Sequence, residues 1–287
     1  MTAVYKKEMK LFFVTMPGYV FIFTMLLAIG AVCLAYNFVA GNSHFQNVLS
    51  FMSMFMIFAI PILTMRTFSE ERKQRTDQLM FTLPLKSYQI VLGKYLALLT
   101  ILAIPVLIMC AYPLILSNYG TIDLRTSYCA ILAMYFLGSA LCSIGMFLSS
   151  ITENQLISAI ISFGLLFFCY EAGNISDVFS PGAMNSYRAF LILSFVLSLM
   201  ILYITKNLMV ALVAEVLFVI PLLIVYKIDF TLLAGKFNLL IEQFALFDKM
   251  TGFIHGIFDI TSLVYYFSVS LIFLFFTIKG IEMRRWR

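Results

Sequence analysis

Apolar residues run through this chain in eight long blocks, roughly 17–40, 48–66, 90–116, 127–150, 154–172, 188–205, 208–226 and 262–280. The blocks do not alternate between apolar and polar positions. Barrel strands alternate over about 10 residues, whereas a helix needs about 20 consecutive apolar residues to cross a bilayer core. Helices and closed barrels are the structures that satisfy every backbone group inside lipid. The pattern therefore predicts an all-α, polytopic transmembrane bundle of eight spans. Polar residues collect between the blocks, with Asn, Gly, Pro, Ser and Asp at several of the breaks, as turn chemistry expects. Only Lys206 and Asn207 separate blocks 188–205 and 208–226, which read as one helical hairpin or as two half-buried segments. Two connections are longer, 67–89 and 227–261.

Composition agrees with the pattern. The chain of 287 residues is 62% hydrophobic and 11% charged, with a mean hydropathy of +1.00. A soluble domain carries about 25% charged residues, so a water-soluble fold is excluded. The apolar stretch after Lys6, Lys7 and Lys10 is longer than the 7–15 residues of a signal-peptide core, and reads as a retained first span.

Charge predicts the orientation. With the N-terminus inside, 14 of the 19 Lys and Arg residues fall on the inner side and 5 (Arg125, Arg188, Lys227, Lys236, Lys249) on the outer side. Basic residues concentrate in cytoplasmic loops, so both termini are expected inside. The net charge of +5 is then a topology signal rather than a nucleic-acid footprint. Cys33, Cys110, Cys129, Cys142 and Cys169 lie in or beside apolar blocks without metal-ligand spacing and read as packing residues.

The densest charged stretch is 67–94, TFSEERKQRTDQLMFTLPLKSYQIVLGK. Ser69 is placed to cap a short helix, with Glu70 and Glu71 in its first turn and Arg72, Lys73 and Arg75 following, an order the helix dipole favours. Leu79-Met80-Phe81 adds an apolar patch, Pro84 ends it, and Ser87 is placed to cap the next span. The expected element is a short amphipathic helix between two spans. By composition alone the stretch reads as a solvated loop obeying the positive-inside rule.

This stretch resembles the loop of ABC-2 type permeases, in particular the branch that serves gliding motility and nitrous-oxide-reductase maturation. The matching residues are Glu70-Glu71-Arg72, Thr76, Leu79, Thr82-Leu83-Pro84 and Val91-Leu92-Gly93-Lys94. The chain departs at Arg75 and Gln78, where the family often has Gly and Glu. Near the end, FDKMTGFIHGIFD, Val264-Tyr265-Tyr266, Phe273-Leu274-Phe275 and Glu282 with Arg284-Arg285-Trp286 are similar to the last external segment and span of the same branch. Ser262 stands where that branch often has an acidic residue. The region 188–246 matches no familiar pattern, so the resemblance implies six core spans plus an inserted pair.

The resemblance implies a single permease domain over 1–287 of type V exporter fold, in the bacterial cytoplasmic membrane. Segment 1–16 would be an interfacial connecting helix, 67–89 the cytoplasmic coupling loop and 227–261 an external re-entrant or interfacial segment. It implies pairing with a second permease subunit, as homo- or heterodimer, and docking of a cytoplasmic ABC ATPase on Glu70, Glu71, Arg72, Thr76, Leu79 and Pro84. Segment 4–13 fits an interfacial helix by its own residues, since Lys6, Lys7 and Lys10 are polar and Leu11, Phe12 and Phe13 apolar.

Chemistry inside the chain is sparse. No G-x-x-x-x-G-K-[ST] occurs, so ATP and Mg are expected on the partner ATPase and no cofactor or metal on this chain. His255 and Asp259 would share a face if helical, yet His44 is the only other histidine. Met52, Met54 and Met56 read as packing residues rather than a copper(I) site. Glu215 lies mid-span, where an ionisable group costs up to about 2.5–3.5 kcal/mol on insertion scales. It is a candidate transport-path residue or a structural hydrogen bond to a neighbouring helix. Gly138, Cys142, Gly145 and Ser149 fall on one face of the fourth span and predict a close helix-packing seam, inside the subunit or at the dimer interface. An exporter permease, a non-transporting mechanical complex of the same architecture, and an ATP-independent secondary transporter are the three functional classes this sequence admits.

Overall fold

The computed structural model describes residues 1–42, 44–76, 86–119, 122–179, 182–228 and 233–285. All regular elements among them are helical. The chain forms two compact units, residues 1–168 with 246–287, and residues 169–245.

The larger unit is built around α7 (Leu124–Ile151). Asp123 caps it by accepting from the Arg125 and Thr126 amides at 3.1 and 3.4 Å. The helix carries glycine, alanine, serine and cysteine at most of its buried positions, so neighbours approach its backbone closely. α3 (Phe45–Thr64), α5 (Ser87–Met109) and α13 (Ile260–Arg285) pack directly on it. α1 (Thr2–Val14) lies along α5, and α2 (Met16–Cys33) packs on α3. Thr15 breaks α1 from α2, just ahead of Pro17 in the first turn of α2, where a missing amide costs nothing. α2 runs on into a π-helical turn, Leu34–Val39. A five-residue helix, α4 (Ser69–Lys73), follows α3, and α6 (Ala111–Ser117) follows α5. α12 (Thr251–Ile254) packs on α7 and α3.

α8 (Gln155–Val178) passes from the larger unit into the smaller one. There α9 (Ala183–Thr205) and α10 (Leu208–Ile228) form the expected hairpin, turned by Lys206 in the left-handed conformation at φ 52°. α11 (Lys236–Glu242) seats Phe237 and Ile241 on Ala172 and Ala189, with Phe179 and Phe190 edge-on to the Phe237 ring. Asn238 Nδ2 donates to the Ser176 and Phe179 carbonyls, both at 2.7 Å.

Among the described residues seven runs are long and apolar enough to cross a membrane: Met16–Val39, Phe45–Lys73, Ser87–Ser117, Leu124–Ile151, Gln155–Val178, Leu208–Lys227 and Ile260–Arg284. The remaining expected block, 188–205, is helical as part of α9, where the apolar run Ala183–Leu199 lies. Outward side chains are themselves apolar, as at Phe23, Leu107, Ile160 and Leu217. Such a surface suits lipid and not water.

Candidate coupling site

At one end of the larger unit α1, α4 and the start of α5 meet around a buried lysine. Lys94, in the second turn of α5, is 1% exposed. Its ammonium lies 3.0 Å from Glu8 Oε1, 2.9 Å from Glu71 Oε2 and 2.7 Å from the Thr67 carbonyl. It donates to Glu8 and to the Thr67 carbonyl, and Glu71 adds a close ion pair. Lys7 Nζ, partly exposed, sits 3.0 Å from Glu71 Oε1 and brings the four-charge cluster to neutrality. The Phe68 ring covers the ammonium at 4.9 Å. A charge taken out of water this completely is tolerated only when its partners are all in place. Glu8 on α1, Glu71 on α4 and Lys94 on α5 therefore hold three elements to one another.

Gly93 explains how α1 comes so near. A Cβ there would stand 3.0 Å from Val4 Cβ and 3.2 Å from the Met1 carbonyl oxygen. The absence of that carbon lets α1 settle against α5, and the next residue, Lys94, then reaches Glu8. Tyr5 and Thr100 add a hydroxyl pair at 3.1 Å along the same contact.

The short helix α4 is held from both ends. Sequence reasoning gives its cap to Ser69, but Ser69 is its first helical residue and its hydroxyl turns back to the Met65 carbonyl. The cap comes from α7 instead. Ser149 Oγ accepts from the Phe68 and Ser69 amides at 3.1 and 3.3 Å and lies 3.1 Å from the Met65 carbonyl. At the other end Thr76 N donates to the Glu71 carbonyl and Arg75 N to the Arg72 carbonyl, both at 2.9 Å. This is a Schellman closure with Arg75 left-handed at φ 56°. That position is the one where the resembled family often has glycine. Thr76 Oγ1 also reaches the Glu71 carbonyl, at 3.2 Å.

A cavity of about 330 Å³ opens beside the cluster, lined among others by Lys7, Glu8, Phe12, Arg66, Glu71 and Lys94. Arg66 Nε stands 3.9 Å from Glu70 Oε2, beyond hydrogen-bond reach.

The structure thus brings Glu71 into a buried cluster, with Glu70, Arg72 and Thr76 around it on one turn. Leu79 and Pro84 lie outside the described residues, as does the apolar patch 79–81. Glu8 and Lys94 are the two site residues that sequence reasoning missed. The signal was partial: Lys94 is an ionisable residue inside an apolar block, which predicts a partner without saying which, and Glu8 lies ahead of the first block.

The other candidates lie elsewhere. Gly138 faces Leu102 and Met56, and Gly145 faces Thr64, so the small-residue seam of α7 packs within this chain. A Cβ at Gly138 would stand 2.7 Å from Leu102 Cδ2, and one at Gly145 would be 2.9 Å from Thr64 Cβ. Cys142 is fully buried on the same helix. Met52 and Met56 are buried, whereas Met54 is 45% exposed. His255 and Asp259 do not share a helix face: α12 ends before His255, Gly256 turns at φ 80°, and Asp259 precedes α13. Glu215 lies on α10 in the smaller unit, 3.2 Å from Ser194 Oγ.

A family model described as an ABC-2 family transporter protein matches residues 5–207. No curated protein and no solved structure matches the chain significantly.

Proposed function

Because the chain belongs to the ABC-2 transporter family, and is thus a multi-pass membrane permease rather than the ATPase itself, we propose that it is the transmembrane subunit of an exporter. A separate cytoplasmic ABC ATPase drives it, docked on α4 and the loop that follows. The single observation that carries this reading is the buried Lys94–Glu8–Glu71 cluster. It ties α4, the element a soluble partner would push, to α1 and to the span α5. A displacement of α4 is then passed to a membrane helix rather than absorbed by a loose loop.

The same reading places this end of the bundle in the cytoplasm. Lys7, Arg66, Arg72 and Lys94 gather there. Arg284 Nη2, near the end of α13, donates to the Ile151 carbonyl two residues from Ser149, which caps α4. The segments 1–14 and 279–285 then share one side of the membrane, as an even number of spans requires. By resemblance the branch is that of gliding motility and nitrous-oxide-reductase maturation, and the working form is a permease pair with two ATPases.

The test is affinity purification of the tagged chain from native membranes in mild detergent, for the wild type and for Glu71→Ala with Arg72→Ala. A soluble ATPase should co-purify with the wild type and be lost from the double variant. A complex kept intact by cross-linking that contains no ATPase would contradict the reading.

A further inference from the structure

A second cavity, of about 540 Å³, lies between the last turns of α7 and α13. Charge fixes its depth in the membrane. α13 carries no charged residue from Ile260 to Ile278, and Lys279 is the first; α7 carries none from Thr126 to Ile151, and Glu153 follows. The cavity therefore lies where both helices leave the apolar layer, at the depth of lipid headgroups. Phe276, Lys279, Gly280, Met283 and Arg284 fall on one stripe of α13 by their three- and four-residue spacing, and all line the cavity, opposite Phe147 of α7. Gly280 is the informative member. A Cβ there would meet nothing within 4 Å. Glycine weakens a helix, and no described neighbour needs its missing side chain; the space it leaves belongs to the cavity. Phe276 is 47% and Met283 68% exposed, so one wall is apolar and open to lipid.

The charges on the described lining are of one sign. Lys279 pairs with Glu282 at 2.9 Å, but both side chains are exposed, and such pairs hold weakly. Arg284 donates from Nη2 to the Ile151 carbonyl at 3.2 Å, which positions the guanidinium and leaves it a cation. We infer that this cavity holds one anionic phospholipid, its phosphate between Lys279 and Arg284 and an acyl chain along Phe276. The two cations are five residues apart, about 7.5 Å along the helix at about 1.5 Å per residue, a gap that two long side chains close onto one phosphate. Charge selects an anionic head, because a choline or ethanolamine ammonium finds no carboxylate among the described lining residues. The open apolar wall selects a lipid over a free phosphate ion, which gains nothing from Phe276 and Met283. A second copy of this face brings the same two cations and is repelled. The inference is independent of ATPase docking at α4 and stands without it.

The experiment equilibrates the full chain, purified in mild detergent, with phosphatidylglycerol or phosphatidylcholine of the same acyl chains, and counts retained lipid by native mass spectrometry. One phosphatidylglycerol should stay on each chain, held roughly tenfold more tightly than phosphatidylcholine. The preference should be lost in Lys279→Gln with Arg284→Gln. Gly280→Leu keeps both charges but fills the cavity, and should lose it too, while its thermal midpoint stays at or above that of the wild type. Equal retention of the two lipids by the wild type would overturn the inference. So would a preference that survives in Gly280→Leu, which would mean diffuse attraction to a basic surface. Displacement of phosphatidylglycerol by inorganic phosphate at constant ionic strength would assign the cations to a free anion and also overturn it.

Discussion

At the residue scale, Lys94 has the largest predicted effect. Lys94→Met leaves the Glu8 and Glu71 carboxylates facing one another without their shared cation. Removing one member of a buried charge set costs about 3–5 kcal/mol, which thermal unfolding in detergent should register as a marked drop in midpoint. Adding Glu8→Gln to Lys94→Met should recover part of the loss, and a sum of two independent losses would refute the cluster. Arg75 makes the opposite prediction. Its left-handed backbone is strained for a residue with a Cβ, and glycine relieves that at a smaller entropic cost in the unfolded chain. Arg75→Gly should therefore stabilise the protein by roughly 0.5–1 kcal/mol, and a destabilised variant would show that the arginine side chain contributes more than its backbone costs. Both residues lie in the stretch that the sequence had already marked, yet only one was legible there. The departure from glycine flagged Arg75, because a backbone need has a one-residue signature. Lys94 read as one more inner-side cation. Its partner Glu8 is 86 positions away, and no local pattern connects the two.

At the scale of elements, helices were legible as blocks because the solvent requirement acts on every residue of a span. Their ends were less so. Ser69 looked like a cap by its place before two glutamates, but the hydroxyl that caps α4 belongs to Ser149, on a different helix. Ser149→Ala leaves two buried amides without an acceptor, at about 1–3 kcal/mol. Hydrogen exchange at Phe68 and Ser69 should accelerate while the core of α7 stays protected. The seam on α7 was legible from its i, i+4, i+7 spacing; that it receives α3 and α5 of the same chain needed the fold. A leucine at Gly138 meets the Leu102 side chain, and overpacking of this kind costs about 1–3 kcal/mol, so Gly138→Leu should express poorly as monodisperse protein. Asp259 ahead of α13 accepts from the Ser262 hydroxyl at 2.6 Å and the Thr261 amide at 2.9 Å. Those bonds, the Ser262 hydroxyl first, hold its carboxyl below the usual range. A depressed carboxyl contributes stability that is present above its unfolded value of about 3.9 and is lost as pH falls through the folded value. Asp259→Asn should therefore flatten the acid limb of stability below about pH 4.

At the scale of the molecule, the chain joins a membrane bundle organised on α7 to a smaller unit built on the α9–α10 hairpin. The bundle's charges concentrate at one end, where α1, α4 and α5 share a neutral buried cluster. The proposed coupling requires α1 and α4 to move as one body when an ATPase pushes on that end. The direct measurement is the distance between spin labels at Lys10→Cys on α1 and Lys73→Cys on α4. It would be made on the complex with its ATPase, in a background without the five free cysteines, with and without ATP. The account predicts a narrow distribution unchanged by nucleotide in the wild-type cluster, and a broadened one in Lys94→Met. A distance that shifts with ATP while Lys94, Glu8 and Glu71 are intact would contradict it.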